Sequence, residues 1–206
     1  AMCVRGINHI VPHAFSPAIF PDPDCPPHFY ARGLNPQFRQ FHLWSAYANR
    51  ICERISGGRH IAPAAVLYHA EAEWGGRYQP FEEIVKLLMQ NQIDCEVVWS
   101  DLLTDLEKSC MKDGELQING ESFRVLLVPY AEYLPCALME RLQEFAEEGL
   151  PVIFLKDYPE RSYFGRKFIP QAGMRKSNEE TLIPLLEKLD IRDIIPMEKK
   201  EQLAYY

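Results

Sequence analysis

No apolar run in this chain of 206 residues approaches the roughly 20 needed to cross a bilayer as a helix, so no membrane partner is expected. Basic charge is in short supply too. Lys and Arg number 22 against 29 Asp and Glu, a net charge of −7, which argues against a sequence-blind nucleic-acid binder. Only 11 residues are glycine, and none belongs to a GxGxxG or S/T-x-T-G-x-T turn. Without such a turn there is no backbone cradle for phosphate, so FMN, NAD and ATP are not expected and no cofactor is assigned. The six cysteines include no CxxC pair. All six are read as reduced thiols, and the protein as cytoplasmic. No basic stretch precedes the first apolar segment, so a secretory signal is not expected.

What is present is an ordinary globular composition, 47% hydrophobic and 25% charged. The length suits one domain of about 150 residues and a smaller piece. All six histidines lie at or before His69, and prolines crowd the same end in IVPHAFSPAIFPDPDCPPHF. Composition shifts near residue 60, which divides the chain into parts 1–61 and 62–206. The first part opens with a short strand candidate, CVRGINHIV, followed by a proline-rich loop. Asn35-Pro36 then reads as a helix start, with Asn at the N-cap and Pro in the first turn. Phe38, Phe41, Trp44, Ala48, Ile51 and Ile55 mark one helical face, and Gly57-Gly58 ends it. A lone strand has no partner, so this strand–loop–helix piece is expected to be the end of something that begins upstream.

The second part alternates strand and helix. Strands are expected at 64–68, 94–99, 123–128 and 151–157, and helices at 80–91, from Ser100 through Leu106, at 135–149 and at 178–189. Asn119-Gly120 fits a two-residue type I′ hairpin turn. Such alternation means a parallel sheet with helices on both faces, a three-layer flavodoxin-like α/β fold.

In such a sheet ligands collect where strand order reverses, at the carboxyl ends of the strands. The loops there supply His69, Glu71, Glu73 and Trp74 on one side, and Tyr130, Glu132 and Tyr133 on the other. Acids beside aromatics suit sugar hydroxyls, and they equally suit an interface with a neighbouring domain or subunit. Glu71 and Glu73, alternating along an extended loop, would point the same way, as an acid–base pair for glycosides requires. Cys136 follows Pro135 at a helix N-terminus, which favours a thiolate nucleophile, but no histidine follows His69 to serve it. His9, His13 and His28 with Asp22, Asp24 and Cys25 match no usual zinc spacing, and no metal is assigned.

The succession RGINHIV, a Pro- and His-rich loop, a helix ending in SGG, then AAVLYHAEAEW, DGELQINGESFRVLLVP and LMERLQEFAEEGLPVIF resembles the C-terminal section of a bacterial glycoside hydrolase. In β-galactosidase-like and α-L-rhamnosidase-like families, a catalytic (β/α)8 barrel precedes a class I glutamine-amidotransferase-like domain, called the trimerisation domain in β-galactosidases. The resemblance implies that residues 1–61 end the barrel and 62–206 form the amidotransferase-like domain of an enzyme acting on plant or host carbohydrate. It further implies a non-catalytic chain that supports oligomer assembly or borders the substrate cleft, with the upstream barrel and further copies as partners. The family's catalytic carboxylates lie on earlier barrel strands, so none is carried over, and His9 and His13 are left as sugar-subsite candidates. Two alternatives stay open, a stand-alone amidotransferase-like hydrolase using Cys136 and a carbohydrate-binding module.

Overall fold

The computed structural model describes residues 2–13, 15 and 29–192. They divide into two compact units, one up to Arg59 and one from His60 onward.

In the first unit the expected strand is absent. Met2–Arg5 form a 3-10 helix, closed by hydrogen bonds from the Gly6 amide to the Cys3 carbonyl (3.2 Å) and from Ile7 to Met2 (3.3 Å). The physical reason is the missing neighbour. No other strand lies among the described residues of this unit, so an extended segment would leave its amide groups without partners. The helix also starts later than Pro36. Asn35 Oδ1 accepts the Gln37 amide at 2.9 Å, which makes a turn, and a 3-10 turn over Phe38–Gln40 leads into α1 (Phe41–Ile55). Phe41 packs on Phe15, Phe29 and Trp44 with ring centroids 4.9, 5.2 and 5.4 Å away.

The second unit carries the sheet. In chain order it contains β1 (Ala64–Tyr68), α2 (Ala72–Gly75), α3 (Phe81–Gln90), β2 (Cys95–Trp99), α4 (Ser100–Thr104), β3 (Ser109–Lys112), β4 (Glu115–Ile118) and β5 (Glu121–Phe123). There follow β6 (Val125–Val128), β7 (Tyr133–Leu134), α5 (Cys136–Glu147), β8 (Val152–Leu155), β9 (Arg161–Ser162), β10 (Met174–Ser177) and α6 (Leu182–Lys188). Strands β10, β8, β6, β1 and β2 lie side by side in that order, all parallel. Counted along the chain this is the order 2-1-3-4-5, that of the flavodoxin-like fold.

Alternation along each strand builds the layers. Ala64, Val66, Val125, Leu127, Ile153 and Leu155 face one core, shared with Ile84 and Leu88 of α3 and Leu182 and Leu186 of α6. Ala65, Leu67, Leu126, Val128, Val152 and Phe154 face the other, shared with α4, α5 and the hairpin residues Leu116, Ile118 and Phe123. The apolar run 123–128 is therefore not one strand. It breaks at Arg124, whose amide donates to the Pro63 carbonyl at 2.8 Å, and the chain passes there from hairpin to central sheet. Arg141 of α5 ties α4 to β3, donating through Nε to the Leu103 carbonyl at 3.1 Å and through Nη2 to the Ser109 carbonyl at 3.3 Å.

Two further expectations change, and one strand appears that the sequence pattern does not predict. Helix α4 stops at Thr104, and Leu106 stands exposed in the turn beyond it. Strand β10, MRKS, has no apolar alternation, because as an edge strand it turns Arg175 and Lys176 to solvent. Residues 178–181 form a capped turn before α6, with Asn178 Oδ1 accepting the Glu180 and Thr181 amides. No helix among the described residues is long and apolar enough to cross a membrane.

Candidate functional site

Strand order reverses between β1 and β6, so the crevice lies between the loops that leave their carboxyl ends. The loop after β1 is a helical turn, not an extended arm. The Ala72, Glu73 and Trp74 amides donate to the carbonyls of His69, Ala70 and Glu71 at 3.0, 3.2 and 3.2 Å, which winds the loop into α2. Positions two apart on such a turn differ by about 200° around its axis. Glu71 and Glu73 therefore diverge, and the expected acid–base pair is not formed. Glu71 is half-buried with Ser100 Oγ donating to it at 3.4 Å, while Glu73 is exposed. Ser100 is itself the first residue of α4, with Trp99 at the N-cap position.

His69 is 2% exposed. Its Nε2 donates to the Tyr130 carbonyl at 3.2 Å, and the Gln79 amide donates to the same oxygen at 2.8 Å. Burial holds the imidazole below its ordinary pKa, so it is a neutral donor that ties the two loops together. Glu132 is committed as well. Its Oε2 accepts from both the backbone amide and Nε of Arg77, each at 3.0 Å, and these bonds draw its carboxyl down to about 2. Arg77 also reaches Glu160 Oε1 at 3.3 Å, and its carbonyl accepts the Glu132 amide at 2.8 Å. Arg77 is the residue that the sequence reading missed, although it lies in the same loop. A single arginine among acids has no distinguishing spacing. It also offsets the negative charge that the cluster of acids suggests.

Two tyrosine rings lie close against the glycines of the loop after β1. A Cβ on Gly75 would lie 2.5 Å from the Tyr163 ring, and one on Gly76 would lie 2.8 Å from the Tyr133 ring. Tyr133 in turn packs under the Arg161 guanidinium at 5.4 Å. Exposed rings adjoin these contacts: Trp74, 85% exposed, precedes Gly75, and Phe164, 96% exposed, follows Tyr163. Trp99 at the end of β2 is exposed too.

The other candidates fall elsewhere. His9 and His13 are exposed positions of the first unit. Asp22, Asp24, Cys25 and His28 lie outside the described residues. Cys136 opens α5 with its sulfur 3.5 Å from Arg166 Nη1 and 3.9 Å from Glu140 Oε1, with no imidazole among these partners. Five cysteines, Cys3, Cys52, Cys95, Cys110 and Cys136, are free thiols. Burial pushes the Cys95 thiol up to about 12, so it stays protonated at neutral pH.

No family model matches the chain, and no curated protein sequence matches it. Among solved structures it is similar to an apo exo-carrageenase GH42 from Bacteroides ovatus, at 10% identity and a TM-score of 0.47, over 76% of this chain and 21% of that one. It is also similar to a cold-adapted β-galactosidase from Rahnella sp. R3, at 12% identity and a TM-score of 0.46, over 69% of this chain and 20% of that one. The chain thus spans about a fifth of the length of each.

Proposed function

We propose that this chain is a non-catalytic α/β domain of a glycoside hydrolase, whose carboxyl sheet edge serves as an assembly surface at the border of the substrate cleft. The observation that carries this reading is the group of exposed aromatic rings beside the loop after β1. Tyr133 and Tyr163 lie against Gly76 and Gly75, while the neighbouring Trp74 and Phe164 are exposed. Exposed aromatic rings at a rim of charged residues are the composition of an interface centre rather than of a reaction pocket. The polar groups that would do chemistry are engaged in tying loops: His69 with Tyr130, and Glu132 with Arg77. The glycoside hydrolase parentage rests on the order of elements from AAVLYHAEAEW onward, since the strand that residues 1–61 would bring to a barrel is not formed. Further copies of the same polypeptide are the partners.

The test is sedimentation equilibrium of the chain together with a panel of nitrophenyl glycosides. Expected are self-association that Trp74→Ala with Phe164→Ala weakens about tenfold or more, as loss of anchoring rings does, and no glycoside turnover. Release of nitrophenol by the purified chain, or a monomer whose state both substitutions leave untouched, overturns the reading. Saturable quenching of Trp74 fluorescence by sugars in a strictly monomeric chain would favour a carbohydrate-binding module instead.

A further inference from the structure

At the opposite, amino end of the sheet, three metal-ligating side chains from three separate segments converge. His60 precedes β1, Glu96 lies on the edge strand β2, and Glu121 opens β5 of the hairpin. One ligand atom from each lies within 4.8 Å of the others. The imidazole is already oriented: Nδ1 is 2.6 Å from Glu96 Oε1, and Nε2 is 2.9 Å from Asp94 Oδ2. Asp94 adds a third carboxylate around one imidazole.

We infer that His60 Nδ1, Glu96 and Glu121 form a binding site for a zinc-class divalent transition ion, with Asp94 holding the ring from its far side. The chemistry of the set decides the class of ion. One imidazole and two carboxylates suit zinc and its neighbours, whereas magnesium and calcium select all-oxygen shells. Ligand bonds of 2.0–2.2 Å in a tetrahedral site place ligand atoms about 3.4 Å apart, which side-chain rotation brings within reach of the present spread. A ligating histidine characteristically donates its other ring N–H to a carboxylate, and the Nε2–Asp94 contact supplies that bond. On binding, the proton that Nδ1 shares with Glu96 leaves to solvent and the nitrogen lone pair goes to the metal. Two of the ligands sit on hydrogen-bonded strands, so the framework is fixed before the ion arrives. The ion would cross-link the segment entering β1, the sheet edge and the hairpin, and it would offset three carboxylates with one imidazole between them. Three protein ligands leave one position for water.

The test is calorimetric titration of the chelator-treated chain with zinc chloride, repeated on Glu121→Gln, His60→Gln and Asp94→Asn after circular dichroism confirms that each is folded. All four side chains are exposed or half-exposed, so these variants keep the core intact. Expected are one zinc per chain, a loss of affinity of about tenfold or more in each variant, and indifference to a large excess of magnesium. The inference is overturned by absence of saturable binding, by zinc binding that Glu121→Gln leaves unchanged, or by equal displacement with magnesium.

Discussion

His69 shows how a residue type that suggests catalysis can be structural. Its imidazole is held below its ordinary pKa by burial, which outweighs the opposite pull of the Tyr130 carbonyl that accepts its N–H. A histidine whose folded pKa lies below its unfolded value of 6.5 contributes stability that is complete above pH 6.5 and is lost as pH falls through the folded value. Urea unfolding of the chain followed from pH 8 to pH 5 should therefore show a midpoint that declines below about pH 6.5. His69→Gln retains an amide donor without the titration, so its midpoint should decline less over the same range. An identical decline in both proteins would remove His69 as the cause. Glu132 titrates from 4.5 towards about 2 and so acts only at lower pH, outside this window.

At the scale of elements, the hairpin turn is the clearest case of local chemistry setting structure. Asn119 and Gly120 adopt φ of 51° and 84°, the positive pair that a type I′ turn demands. A Cβ on Gly120 would meet nothing within 4 Å, so Gly120→Ala costs only conformational strain, about 1 kcal/mol. In a chain of this size that is a fall in Tm of about 2–4 °C. Gly58→Ala, equally open but without a positive φ, should shift Tm by much less, and calorimetry of the pair checks the argument. The elements that were legible in the sequence share this locality. The apolar runs at 64–68 and 152–155 and the faces of α3 and α5 follow from spacing alone. What was illegible depends on neighbours. MRKS is a strand only because β8 offers it an edge, and the segment near residue 3 is none because nothing pairs with it. The site divides the same way. Sheet order put the loops of His69 and Tyr130 together in the reading, but the winding that separates Glu71 from Glu73 and the clamp of Arg77 are tertiary facts. The His60, Glu96 and Glu121 cluster gives no motif, since its members come from three distant segments.

For the whole molecule, the two cores define what can fold. Both clusters, one on each face of the parallel sheet, are built from residues beginning at Ala62, and every strand of the sheet contributes to at least one of them. Parallel strands have both faces to cover, and here α3 and α6 cover one while α4, α5 and the hairpin cover the other. A polypeptide of residues 60–206 therefore carries every buried group that these two cores need, and its size falls in the usual range for an autonomous domain. Expressed alone, it should unfold in one cooperative urea transition, with dispersed amide resonances and zinc binding unchanged from the whole chain. Truncating Phe154 to Ala in it should cost about 3–5 kcal/mol, since that ring is fully buried among Tyr158 and Phe168. A non-cooperative transition, or collapsed resonances in the unsubstituted 60–206 polypeptide, would show that the sheet needs residues 1–59 to complete it. In that event the division at residue 60 marks a change in composition rather than a boundary of folding, and the assembly surface at the carboxyl edge would have to be sought in the intact chain.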